Sequence, residues 1–225
     1  MMEEIHMSNA SDFVIREGDL SYYRDSAWLH PDGNYPEWAK KEGLTLEKYA
    51  GKDADVVIPE SIDEIGDEAF IKNKFLENVV VSEGVYFLGI KSFYSCPNLK
   101  RMVIHGTIHV WSDFITKKQN VELVFLKNSL DSVDTPYQEK ALRGFIYATE
   151  NDLSMDESIK EDNVSWIKRR RKKLYPTALE NLSLLRLMLS NNIVPKKEVD
   201  DLLSQATQAG CTEATALLLQ YSQSK

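Results

Sequence analysis

Cysteine is scarce in this chain: Cys96 and Cys211 are its two in 225 residues. They stand in segments of different character, which excludes a disulfide framework and fits thiols kept in a reducing compartment. Long apolar runs are missing as well. No stretch approaches the ~18 apolar residues that a helix needs to cross a bilayer, so no membrane span is expected. The opening "MMEEIHMSNASDF" has acids where a signal peptide has cations, and no apolar core follows; a cytoplasmic location is the expectation. Motifs that announce chemistry are also missing, among them H-E-x-x-H, paired C-x-x-C, G-x-S-x-G and the phosphate loop G-x-x-x-x-G-K-[ST]. No catalytic residue, cofactor or metal is therefore assigned, and the protein is expected not to be an enzyme. Positive charge is in deficit, with 27 Lys and Arg against 35 Asp and Glu. The deficit is uneven: residues 1–130 hold 14 cations and 21 acids (net −7), residues 131–225 hold 13 and 14 (net −1). The first part would repel a nucleic-acid backbone.

What is present is repetition. "VVIPESIDEIGDEAF" returns as "VVSEGVYFLGIKSF", so that Ile58, Ile62, Ile65, Gly66 and Phe70 recur 23 residues later as Val81, Val85, Leu88, Gly89 and Phe93. Leu76 and Val79 recur as Leu99 and Met102, and a looser third copy holds Ile108, Trp111, Val121, Val124 and Leu126, its spacing slipped to 22 from Met102 to Val124. A period of this size marks stacked supersecondary units that share one core, with atypical units closing the ends. Alternating stretches such as "NVVVS" and "RMVIH" read as short strands. They place Val56/Ile58, Val79/Val81, Met102/Ile104 and Val124/Leu126 inward. Gly66 and Gly89 read as sites of a tight turn or a close backbone approach.

The stretches "IPESIDEIGDEAF" and "LENVVVSEGVYFLGIKSFYSCPNLKRMVI" resemble the BspA-like class of leucine-rich repeats over about residues 46–126. Pro59, Gly66, Ala69, Phe70, Gly89, Phe93 and Cys96 stand at motif positions, whereas Ser82 and His105 replace a frequent proline. The resemblance implies a right-handed solenoid that binds other molecules, often as a protein-interaction or surface-adhesion module, and it implies no catalytic residues. "FVIREGDLSYY" and "LEKYAGKDADVVIP" resemble the segment that leads into such arrays, with "RDSAWLHPDGNYPEWAKKEG" inserted between them. The insert brings Trp28, Trp38, Pro31 and Pro36, and "PEWAKKEG" reads as a short helix. Its aromatics are read as a lid over the first repeat.

From about residue 131 the apolar spacing changes to i, i+3, i+4, and helices are expected. Val199, Leu202, Leu203 and Ala206 make one face between Pro195 and Gly210; Leu184 to Leu189 and "TEATALLLQY" make two more helices. "DLLSQATQAGCTEATALLLQ" resembles the helix pair of an ankyrin repeat, without its TPLH turn; a compact bundle or solenoid cap is the simpler reading. The fold class is thus α+β: a cap segment over 1–50, a short solenoid of about three ~23-residue repeats over 51–130, one of them degenerate, and an all-helical domain over 131–225.

Two candidate surfaces follow. If alternation holds, Val57, Val80, Val103 and Phe125 point outward as one apolar column, with Asn78 and Arg101 supplying polar contacts at its edge. Such a stripe marks a protein interface, unless the C-terminal helices cover it or the residues simply stabilise the ladder. The second surface is "KRRRKK", that is Lys168, Arg169, Arg170, Arg171, Lys172 and Lys173, which can bind nucleic acid or another anionic surface or can be a solvated helix face. Acids at Asp156, Glu157, Glu161 and Asp162 precede it and offer internal pairing. His105, His109 and Asp113 fall on a strand end and the turn after it, where their spacing does not converge on a metal. The expected protein is a cytoplasmic, bacterial, non-catalytic interaction module with another protein as partner; an anion binder and a surface adhesin are the alternatives.

Overall fold

A computed structural model of the chain describes residues 10–20, 42–110 and 113–223. Two compact units are formed, one from residues 1–128 and 132–144, the other from 129–131 and 145–225. Trp28, Trp38, Pro31, Pro36, the "PEWAKKEG" segment and Trp111 lie outside the described residues.

The first unit is a β-solenoid. Its strands are β1 (Phe13–Asp19), β2 (Glu42–Tyr49), β3 (Asp55–Val57), β4 (Glu64–Ile65), β5 (Asn78–Val81), β6 (Phe87–Leu88), β7 (Arg101–Ile104), β8 (His109–Val110) and β9 (Glu122–Phe125). One sheet has the order β1-β2-β4-β6-β8 and the other β3-β5-β7-β9. β1 and β2 pair antiparallel, Phe13 opposite Tyr49, so the two halves of the lead-in segment meet across the insert. Every later pairing is parallel. Strands of two to four residues cannot stand alone; each persists because the next coil completes its hydrogen bonds and covers its apolar face.

The inward ladders are present in the first three rungs. Val56 and Ile58, Val79 and Val81, and Met102 and Ile104 are all buried. A second column is aromatic. Tyr49 stacks on Phe70 at 5.1 Å and Phe70 on Phe93 at 4.7 Å between ring centroids, with Phe13 beneath Tyr49 and Phe114 meeting Tyr137 further along. A third column ties coils by side-chain hydrogen bonds: Asn73 Nδ2 donates to the Gly51 carbonyl, the Cys96 thiol to that of Phe70, and Gln119 Nε2 to that of Cys96. Burial of Cys96 pushes its thiol up to about 11, so it stays protonated and serves as a donor.

The last coil is shorter than the spacing of apolar residues predicts. Arg101 pairs with Glu122 and Met102 with Leu123, an offset of 21 rather than 22. The inward residue of this rung is Leu123, and Val124 stands in line with Val103. Apolar residues at 121 and 123–126 fit either register; alternation cannot choose between them when both faces are apolar. Gly89 is a position of close approach and not of left-handed backbone. A Cβ there would lie 2.6 Å from the Asp67 amide nitrogen of the preceding coil. Positive φ falls instead on Glu68, Lys91 and Asp113, at 59°, 56° and 74°.

The open end is closed by the chain itself. Helix α1 (Gln138–Glu150) brings Gly144 against the backbone of β9, where a Cβ would lie 2.8 Å from the Val124 nitrogen and closer still to the Leu123 carbonyl. Lys140 Nζ donates to the Gln119 carbonyl, Arg143 Nη2 to that of Val121 at 3.2 Å, and the Tyr137 hydroxyl accepts from the Asp113 amide at 2.7 Å. A bare sheet edge invites pairing with other chains; residues 137–144 cover this one.

The second unit is helical. α2 (Glu157–Glu180) is followed after one residue by α3 (Leu182–Ser190), then come α4 (Lys196–Gln208) and α5 (Thr212–Gln223). Asn181 turns the chain between α2 and α3: it is extended, at φ −119° and ψ 96°, and its side chain accepts from the Leu184 amide. Trp166, Ile167, Leu185, Met188, Leu202 and Leu218 fill the core. Pro195 caps α4, and Gly210 beyond its end has φ 70°, as the sequence places them.

Candidate interaction surface

The β3-β5-β7-β9 sheet sets the outward column. Val57 pairs with Val80, Val80 with Val103 and Val103 with Val124. Val57, Val80 and Val103 are half-buried. Phe125, expected as the fourth member, pairs instead with Ile104 and is 7% exposed. The offset of 21 in place of the expected 22 shifts the register by one residue and moves it out of the column. Its replacement, Val124, is fully buried. The partly accessible apolar stripe is therefore three valines long and stops at the capped strand.

The polar row beside it is internally paired. Asn78 Nδ2 donates to Asp55 at 2.6 Å, and Arg101 makes an ion pair with Glu122 at 2.7 Å, both side chains about a third exposed or less. Asp55, Asn78, Arg101 and Glu122 are successive rungs of one ladder, so the pairs also hold the register. On the far side, Lys127 bonds Glu83, which lies two coils back and whose carboxyl that ammonium holds below the usual range. These contacts leave Asn78 and Arg101 with fewer groups to offer a partner than the sequence implies. They make the valine stripe a flat strip between two salt-bridged borders.

The basic run lies on α2 and is divided in its roles. Arg169 and Arg170 pair with Asp131, Arg170 also lying over the Trp166 ring at 4.4 Å. Arg171 forks onto both oxygens of Glu198 on α4, at 2.8 and 3.1 Å, and Tyr175 donates to the same carboxylate at 2.6 Å. The guanidinium first and the phenol second hold the Glu198 carboxyl down at about 2. Lys168, Lys172 and Lys173 remain exposed. The pairing of Arg169, Arg170 and Arg171 is not legible in the run itself, because Asp131 and Glu198 are distant from it in the chain. The anticipated pairing of the run with the acids before it is not among its ion pairs in the described residues, which go to Asp131 and Glu198; Glu157 pairs instead with Lys160, outside the run, at 3.1 Å.

His105 is exposed beyond β7, and Asp113 sits in a turn. Among the described residues no group of three His, Cys, Asp or Glu side chains converges as metal ligands. No helix among them is long and apolar enough to cross a membrane.

No curated protein matches this chain. Among solved structures it is similar to a leucine-rich cell surface protein of Faecalibacterium prausnitzii, with 20% identity, a TM-score of 0.31, and 38% of this chain and 28% of that one covered. It is also similar to the leucine-rich repeat protein of T. pallidum, with 18% identity, a TM-score of 0.32, and coverage of 57% and 63%. A third, from Bacteroides capillosus, has 16% identity and a TM-score of 0.29, with 36% and 86% covered. The chain thus spans less than two thirds of the first two. The family model for the BspA type leucine-rich repeat region matches residues 49–140 in six copies. Its range starts at Tyr49 of the aromatic column and runs to the first turn of the capping helix. Residues 49–140 of this chain form a BspA-type leucine-rich repeat region.

Proposed function

We propose that the protein is a non-catalytic interaction module in which the β3-β5-β7-β9 sheet presents Val57, Val80 and Val103 to another protein. The observation that carries this reading is the parallel register that lines up three half-buried valines across three strands, between borders whose charges are already paired. A rigid strip of this kind gains affinity by desolvating its apolar centre, while the paired rim contributes mainly to specificity. The fold is set by coil stacking, so the face needs no rearrangement to bind.

Two free thiols, one of them buried, support a reducing location such as the cytoplasm. An anion-binding role for 168–173 has less support, because Arg169, Arg170 and Arg171 are engaged with Asp131 and Glu198. The test is affinity capture with the wild type, with Val80→Lys/Val103→Lys, and with Lys168, Lys172 and Lys173 changed to Gln. Loss of a specific partner in the double variant alone, its circular dichroism unchanged, is expected. Retention of every partner by a folded double variant sinks the proposal.

A further inference from the structure

A cleft of about 540 Å³ opens within the helical unit. α2 contributes Glu157, Lys160, Glu161 and Val164, a single face at i, i+3, i+4, i+7 spacing; Phe145, Ala148, Leu153, Met155 and Leu187 complete the apolar lining. The volume lies in the range of ligand clefts, roughly 300–1,000 Å³.

Of the wall's neutral polar side chains Thr149, Ser154 and Asn191, the first and last are bonded to the backbone of their own helices and Ser154 is exposed to water. Thr149 Oγ1 donates to the Phe145 carbonyl and Asn191 Nδ2 to that of Leu187. An occupant is therefore selected by apolar fit and by charge. Glu157 is neutralised by Lys160 at 3.1 Å, whereas Asp152 and Glu161 are exposed and have no ion-pair partner among the described residues. The lining is thus acidic by two charges. Exposed acids hold a bare cation weakly, since screening leaves such a pair worth about 0–1 kcal/mol. Useful affinity has to come from burying an apolar group beside the cation. The rim between α1 and α2 is pre-shaped for this: Asp152 is left-handed at φ 50°, the Leu153 amide bonds the Ala148 carbonyl at 2.9 Å, and buried Asn163 reaches both Met155 Sδ and the Leu130 amide. A preformed cleft spares the occupant much of the ordering cost.

We propose that this cleft docks a basic segment of a protein partner, an apolar side chain entering beside Val164 and Leu187 while an adjacent Lys or Arg meets Asp152 and Glu161. The cleft shares no residue with the valine stripe, and each can fail without the other.

The full-length chain, isotope-labelled, is titrated with an eight-residue peptide of alternating Leu and Lys and with its Leu/Glu counterpart, the amide shifts being read by NMR. The Lys peptide is expected to move the amides of Ala148, Asp152, Val164 and Leu187, and the Glu peptide is not. Asp152→Lys/Glu161→Lys should weaken binding at least tenfold. Asp200→Lys/Asp201→Lys, the same charge change on exposed residues of α4, should weaken it less than threefold. Equal weakening by both variants would show attraction to net charge only and overturn the proposal. Absence of binding by the Lys peptide, or shifts scattered away from the cleft, overturns it too.

Discussion

Gly144 provides a test in which local and tertiary reasoning predict opposite signs. It lies within α1, and in an exposed helix Gly→Ala stabilises by about 1 kcal/mol. Here a Cβ would come within 2.8 Å of the Val124 nitrogen and closer to the Leu123 carbonyl, both backbone atoms of a strand that cannot step aside. An ordinary C···O contact is about 3.3–3.6 Å, so the helix must retreat by roughly an ångström. That retreat stretches the bond from Arg143 Nη2 to the Val121 carbonyl, already 3.2 Å, past the useful range, and the bond from Lys140 to Gln119 with it. Each charge-assisted bond contributes about 1.5–3 kcal/mol when intact, and overpacking costs about 1–3 kcal/mol. With partial relaxation and the helix-propensity gain subtracted, Gly144→Ala should destabilise by about 2–4 kcal/mol. In a thermal melt this is a fall of roughly 5–10 °C. Hydrogen exchange adds locality, because the amides of residues 119–126 should lose protection before those of β5. A variant as stable as the wild type, or more so, would refute the close contact between α1 and β9.

Ser92 is fully buried and its hydroxyl has no hydrogen-bond partner among the described residues, while the matching place one coil earlier is Ala69. Ser92→Ala should raise stability by about 1 kcal/mol, since an unsatisfied buried hydroxyl costs more than a methyl group of the same shape; a lower melting temperature would show that the hydroxyl is satisfied after all. Glu198 has a folded pKa of about 2 against a reference of 4.5, so its contribution is complete above 4.5 and is lost as pH falls through 2. Glu198→Gln should therefore cost on the order of 2 kcal/mol near pH 7. Urea titrations of the two proteins should converge between pH 4.5 and 2; a gap that ignores pH would assign the loss to shape and not to charge.

The repeat was legible because each coil obeys the same local rule. A residue that must fill the shared core recurs at a fixed interval, which is why Ile58, Val81 and Phe70, Phe93 identify inward columns without any coordinates. The helices of the second unit were legible for a similar reason: Pro195, Gly210 and the spacing of Val199, Leu202 and Ala206 are local signals. The outward stripe was half legible. Alternation identifies Val57, Val80 and Val103, but in an all-apolar stretch such as "VELVF" it cannot say which neighbour faces out, so Phe125 was assigned to a column that it leaves.

Local sequence by itself thus determined the period, the strands within each coil, the helices and their caps, because each depends on residues within a turn or two of one another. Tertiary structure alone decided the shortened last coil, the role of Gly144 as a point of contact, and the division of the basic run by Asp131 and Glu198. Those outcomes depend on which distant backbone or carboxylate comes within a few ångströms, and the spacing of residues along one element does not record that distance.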